Sequence, residues 1–211
     1  METMTRGPRR GAMSSAHALA GLVMVLGIAL AVVGVVLLVN QLTQPGGSIV
    51  VTVDDAAVEA IPRLPSAPGD APVALALGDS PRLLVAELPA PLRGVTEAPA
   101  LLSGVLALVG AWLLRGVLRE VAAGRPFADG VAERVGGLAG VAVVAAFVPT
   151  AVESLASVLV LEHTGLADAS GIGVTLLSVD LGSLLLAAVL VVVAAVVRHG
   201  GELARETEGL V

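Results

Sequence analysis

The chain contains no cysteine, no lysine and no tyrosine, and its aromatic side chains are two phenylalanines and one tryptophan in 211 residues. Without cysteine, disulfides, thiolate metal sites and cysteine nucleophiles are excluded together. Charge is scarce as well: 14% of residues are charged, where a soluble domain carries about 25%. All 12 basic residues are arginines. A GC-rich genome produces this bias, together with the Ala and Val enrichment, and it carries no chemistry. Catalytic signatures are missing too: neither H-E-x-x-H nor G-x-S-x-G occurs, nor do the paired glycine loops of nucleotide sites. His17, His163 and His199 are scattered along the chain. The expectation is a protein that is not an enzyme and holds no metal or cofactor.

What the chain does have is apolar length. Residues 19–39 read LAGLVMVLGIALAVVGVVLLV, 21 positions without an ionisable or strongly polar side chain. As a helix rising about 1.5 Å per residue, the run is roughly 30 Å long, the thickness of a bilayer's hydrocarbon core. The whole chain is 56% hydrophobic, with a mean hydropathy of +0.94. Further apolar blocks at 98–118, 135–161 and 172–197 complete the pattern. The expected fold class is an all-α membrane protein, a bundle of four transmembrane helices with a small β-containing loop between the first and second.

The expected order is a basic tail (1–15), span one (16–39), a long loop (40–97), span two (98–118) and a short loop (119–134). Span three (135–161), a second short loop (162–171), span four (172–197) and a charged tail (198–211) follow. A cleaved signal peptide is the rival reading of the start, because Arg6, Arg9 and Arg10 make a basic n-region. Signal peptides have apolar runs of about 7–15 residues ending in a small-residue cleavage site. This run is longer and leaves through NQLTQPGG, which reads as an uncleaved anchor. Pro99 is expected in the first turn of span two, where its missing N–H leaves no acceptor without a partner. Trp112 and Arg115 suit its far end, as an interfacial ring and a snorkelling cation.

Arginine asymmetry sets the orientation. With the N-terminus inside, Arg6, Arg9, Arg10, Arg115, Arg119, Arg125, Arg134, Arg198 and Arg205 share the cytoplasmic side, and Arg63, Arg82 and Arg93 lie outside. Nine against three places both termini in the cytoplasm of a bacterial inner membrane. The net charge of −6 says little, because charge is sorted by side. Loop 40–97 is then external. Nine of the 12 prolines fall in it or at its edge, from Pro45 to Pro99, along with the strand-like runs IVVTV (49–53), VALAL (73–77) and LLVAEL (83–88). GDSP at 78–81 predicts a hairpin between the last two. A small outer β cap follows; an irregular covering loop is the alternative.

Helices in lipid associate through small residues. Gly27-x-x-x-Ala31, Gly136-x-x-x-Gly140, Ala142-x-x-x-Ala146 and Ser183-x-x-x-Ala187 have that spacing. They are expected as packing faces within the chain, with a homo-oligomer as the alternative. Pro149 is expected to leave the Ala145 carbonyl unpaired and to kink span three.

Glu153 and Asp180 are the carboxylates inside apolar blocks, and Ser154, Ser157, Ser103, Thr150, Thr175, Ser178 and Ser183 lie near the same level. If span three ends at 161 and span four starts at 172, both acids sit about 12 Å below the outer surface. A carboxylate at that depth usually faces a cavity or a partner, so Glu153, Asp180, Ser154 and Ser157 form a candidate polar intramembrane site for a proton or cation. The alternative shortens the spans to 136–152 and 181–197, of about 25 Å each. Both acids then lie among headgroups, with Asp180 at a helix start, where negative charge is favoured.

Between spans two and three, LRGVLREVAAGRPFADGVAERVGG predicts a helix ending near Ala123, a turn at Gly124, Arg125, Pro126 and Phe127, and a new helix from about Asp129. Phe127 is either a plug between helix ends or a contact for a cytoplasmic partner. Four spans, a long outer loop after the first, the G-x-P-F turn (Gly124, Pro126, Phe127) and a tail with Gly201, Glu202, Glu206, Leu210 and Val211 carry a resemblance. The chain resembles a bacterial four-span membrane family catalogued as a domain of unknown function (number 2975). That resemblance implies a membrane partner of a small helix-turn-helix DNA-binding regulator. The chain has no such motif itself, and its arginines flank spans, so direct nucleic-acid binding is not indicated. The functional expectation is a regulatory or sensory membrane protein. The alternative is a small proton- or cation-coupled carrier using Glu153 and Asp180, although the two helix pairs show no internal repeat of the kind carriers have.

Overall fold

A computed structural model describes residues 8–44, 49–52, 73–76, 82–85, 88–128, 130–164 and 180–208. Four long helices carry the fold: α1 (Pro8–Thr43), α2 (Ala90–Ala122), α3 (Val131–His163) and α4 (Leu181–Glu208). Three strands lie between α1 and α2: β1 (Ile49–Thr52), β2 (Val73–Ala76) and β3 (Arg82–Val85). Each helix contains a stretch long and apolar enough to cross a membrane: His17–Thr43, Ala90–Ala122, Val131–His163 and Leu181–Leu203. The chain is a multi-pass membrane protein of the expected fold class.

The surface confirms the solvent. Leu22, Val25, Leu185, Val192 and Val196 are all more than 60% exposed. Water would penalise so continuous an apolar surface, whereas lipid tails cover it without loss. The buried positions are mostly small: Ala20, Ala111, Ala139, Ala142, Ala146, Ala187 and Ala194. Helices that gain no hydrophobic drive from lipid pack by close approach at such residues.

The chain divides into two compact units. One comprises Met1–Val32, Gly104–Ala146 and Asp180–Val211. Within it, α1 meets α2 at glycines. A Cβ on Gly27 would lie 2.5 Å from Ala111 Cβ, and one on Gly104 would lie 2.8 Å from the Leu30 carbonyl oxygen. Farther along α2, Leu113 packs against Gly137 of α3. Val131 and Val135 of α3 form a buried cluster with Ala194 of α4, and Val117, Ala128, Leu190 and Val197 surround it. The expected face Gly136-x-x-x-Gly140 is not part of this packing. Both glycines are exposed with open space where a Cβ would point. Val135, Ala139, Ala142 and Ala146 supply the buried stripe instead, because helical phase, not residue size alone, decides which face turns inward.

The other unit comprises Val33–Ser103 and Phe147–Val179. Here a Cβ on Gly34 would lie 2.8 Å from the Ala100 carbonyl oxygen and 3.0 Å from Leu101 Cα. The strands form an antiparallel sheet in the order β1-β3-β2. Ile49 pairs with Val85, and Val73 pairs with Val85 from the other side; Ile49 and Val85 are buried. β2 and β3 pair antiparallel as the hairpin expectation required, while the GDSP turn lies outside the described residues. Arg93 Nη1 donates to the Gln44 carbonyl, tying the start of α2 to the end of α1.

Pro99 departs from its expected place. α2 begins at Ala90, so Pro99 is inside the helix. The Pro89 carbonyl accepts the Leu92 and Arg93 amides at 3.0 and 3.2 Å and starts the helix there. Apolar content marks where lipid begins, and the helix starts earlier, in a polar stretch. Pro149 likewise lies inside α3. There Thr150 Oγ1 donates to the Phe147 carbonyl at 2.9 Å.

Candidate functional site

The candidate acids have different surroundings. Asp180 is the N-cap of α4. Its Oδ1 accepts the Gly182 amide at 2.9 Å, and its Oδ2 accepts the Ser183 hydroxyl at 2.5 Å. Its own carbonyl accepts the Leu184 amide at 3.2 Å, the first bond of the helix. A capping carboxylate takes up amides that have no partner earlier in the helix. Asp180 is exposed and precedes the apolar stretch Leu181–Leu203. The Ser183 hydroxyl, then the Gly182 amide, hold its pKa below the usual 3.8, because both donate to the charged form.

Glu153 is exposed on α3. Ser157 Oγ donates to the Glu153 backbone carbonyl at 2.9 Å, and Ser154 Oγ donates to the Thr150 carbonyl at 2.9 Å. These are bonds to the preceding turn of the same helix. Glu153 belongs to one unit and Asp180 to the other. Thr175, Ser178 and the start of the expected fourth span at 172 lie outside the described residues.

The α2–α3 turn is built more elaborately. Gly124 has φ +74°, a left-handed conformation that suits glycine. Its amide donates to the Val121 carbonyl at 3.0 Å, and the Arg125 amide donates to the Glu120 carbonyl at 3.0 Å. This pair of bonds is the Schellman motif that closes a helix. Arg125 also forms an ion pair with the Glu120 carboxylate at 3.0 Å. Pro126 follows and has no amide to continue the helix. Asp129, the expected start of the next helix, lies outside the described residues; α3 begins at Val131.

The closed turn presents Phe127, which is 48% exposed. One edge of its ring rests on α4, where a Cβ on Gly200 would lie 2.6 Å from Phe127 Cε1. The Gly200–Gly201 pair is therefore a seat for the ring, a role that sequence reading missed. The signal was available: two adjacent glycines just beyond an apolar run. Beside the seated ring is a cleft of about 250 Å³. Glu133 of α3 and Arg198 and Glu202 of α4 line it with both signs of charge. Ala128, Ala132 and Val197 add apolar lining. Glu202 also lies 3.4 Å from His199 Nδ1.

Gly124, Arg125, Pro126 and Phe127 thus form one closed turn, whereas Asp180 caps α4 and Glu153 is exposed on α3. Among the described residues, no group of three His, Asp or Glu side chains is placed to hold a metal ion. No family profile, no curated protein and no solved structure matches the chain.

Proposed function

We propose that this membrane protein is a non-catalytic regulatory partner that holds a small cytoplasmic helix-turn-helix regulator on its α2–α3 turn. The arginine asymmetry supports a cytoplasmic position for that turn and for both termini. The resemblance to the four-span bacterial family, through Gly124, Pro126, Phe127 and the tail, supports the class of partner. The observation that carries the proposal is the seated Phe127 beside a cleft with Glu133, Arg198 and Glu202 on its walls. A half-exposed aromatic held by a Schellman turn and a glycine seat is rigid before any partner arrives. Such pre-organisation lowers the entropy lost on binding. The outer sheet would then be the sensing element.

The test is to ask whether a small helix-turn-helix protein is encoded beside this gene, to co-express it, and to capture the tagged full chain from solubilised membranes. Co-purification is expected, with a loss of tenfold or more, on the order of 1.4 kcal/mol, for Phe127→Ala and for Glu133→Arg. Glu133 is exposed, so its replacement leaves the fold intact. Equal capture by the wild type and both variants would overturn the reading, as would the lack of such a neighbour.

A further inference from the structure

A second cleft of about 250 Å³ lies between α2 and α3, lined by Trp112, Leu113, Arg115, Gly116, Arg119, Glu120 and Arg134. Its charge is unbalanced. The one carboxylate on its wall, Glu120, is taken by Arg125 at 3.0 Å. Among the described residues, no carboxylate lies in ion-pair range of Arg115, Arg119 or Arg134. Arg115 and Arg119 are four apart on α2, a spacing at which like charges repel. Arg134 reaches across from α3. Its stem lies over Gly116, where a Cβ would be 3.0 Å from Arg134 Cδ, and its Nη1 donates to the Gly116 carbonyl at 3.4 Å. Glycine at 116 is what admits the third guanidinium to the cleft.

The cleft also has a defined level. The α2 residues before it, 105–111, are all apolar or glycine, and Val105 and Val109 are 45% and 40% exposed. Trp112 is 62% exposed at the end of that surface. An indole belongs at the boundary between hydrocarbon and headgroups. Arg115 and Arg119 follow it at three and seven residues, on the same side of the helix. The three guanidinium groups therefore stand at headgroup depth, below a surface that accepts acyl chains.

We propose that this cleft is a binding site for the phosphate of an anionic phospholipid headgroup. Guanidinium forks match phosphate oxygens in bidentate geometry, and basic pockets between membrane helices hold anionic headgroups. A zwitterionic lipid would bring an ammonium group towards three cations, so the site selects for net negative charge. The inference stands whichever way the chain faces and is independent of the regulator proposed above.

Trp112 is the only tryptophan, so its fluorescence reports this site alone. The test reconstitutes the full chain in vesicles of phosphatidylcholine mixed with brominated phosphatidylglycerol, and in the converse mixture with brominated phosphatidylcholine. Stronger quenching of Trp112 by the brominated anionic lipid at equal mole fraction is expected. Arg119 is exposed, so Arg119→Gln leaves the fold intact; it is expected to lower the preference about fivefold. Arg205→Gln, an equal charge change near the end of α4, leaves the preference unchanged. Equal quenching by both lipids in the wild type overturns the proposal. So does an equal loss in Arg119→Gln and Arg205→Gln, which would mark bulk charge alone. Excess inorganic phosphate is expected to leave the preference in place; its abolition would assign the site to a soluble anion and overturn the lipid as occupant.

Discussion

Replacing Gly104 by alanine tests the packing of α1 on α2. The added Cβ would lie 2.8 Å from the Leu30 carbonyl oxygen, 3.0 Å from Ala31 Cα and 3.3 Å from the Leu30 carbonyl carbon. Carbon atoms in optimal contact sit at about 3.5–4.0 Å, so the helices must part by several tenths of an ångström. All three neighbours are backbone atoms, which cannot rotate aside. Overpacking of this kind costs about 1–3 kcal/mol. The reference is Gly136→Ala on α3, where the new Cβ meets nothing within 4 Å. Both changes swap glycine for alanine inside a helix, so the propensity gain of about 0.5–1 kcal/mol is common to both. Their difference isolates the steric effect. Unfolding of the purified chain by sodium dodecyl sulfate in mixed micelles, followed by Trp112 fluorescence, measures both. Gly104→Ala is expected to be less stable than Gly136→Ala by about 1–3 kcal/mol. Equal stabilities would refute close backbone approach at Gly104.

Two further outcomes follow from the described contacts. The Asp180 cap has a pKa held below 3.8. A depressed carboxylate contributes stability that is fully present above its unfolded value and is lost as pH falls through the folded one. Amide exchange at Gly182 and Ser183 should therefore accelerate below about pH 4 relative to the rest of α4; Asp180→Asn should remove that acid-specific step while keeping a capping side chain, and an unchanged profile would contradict the cap. Gly200→Leu should drive Phe127 off its seat, because even a Cβ would lie 2.6 Å from the ring; with half the ring already exposed, the lost burial is about 1 kcal/mol, read as a detergent midpoint below that of Gly136→Leu, which shares the helix-propensity gain but whose Cβ meets nothing within 4 Å, and equal midpoints of the two variants would contradict the seat.

Length and polarity made the four helices legible in the sequence, since an uninterrupted apolar run of bilayer length has few other uses. The strands were legible because β-branched and leucine-rich runs stand between proline and glycine clusters. Helix ends were less so. The polar stretch before Pro99 is helical from Ala90, and hydropathy marks the lipid boundary, not the first hydrogen bond. Gly27 and Gly136 look alike in sequence, yet one is buried against Ala111 and the other faces open space. Only the phase of each helix against its neighbour separates them. Asp180 had two readings, and the donors at Gly182 and Ser183 make it a helix start. The seat for Phe127 joins residues more than 70 positions apart, a pairing that no local pattern encodes. The Gly116 gap that admits Arg134 is of the same kind.

The central claim is a chain that crosses the bilayer four times and returns its tail to the side where it began. Because the protein has no cysteine, single-cysteine variants report sidedness without a background. Thr43→Cys and Glu162→Cys, at exposed ends of α1 and α3, should react with a membrane-impermeant maleimide on intact cells. Arg125→Cys and Glu206→Cys, exposed at the α2–α3 turn and on α4, should react only after permeabilisation. Labelling of Thr43→Cys and Arg125→Cys from the same side would contradict the account.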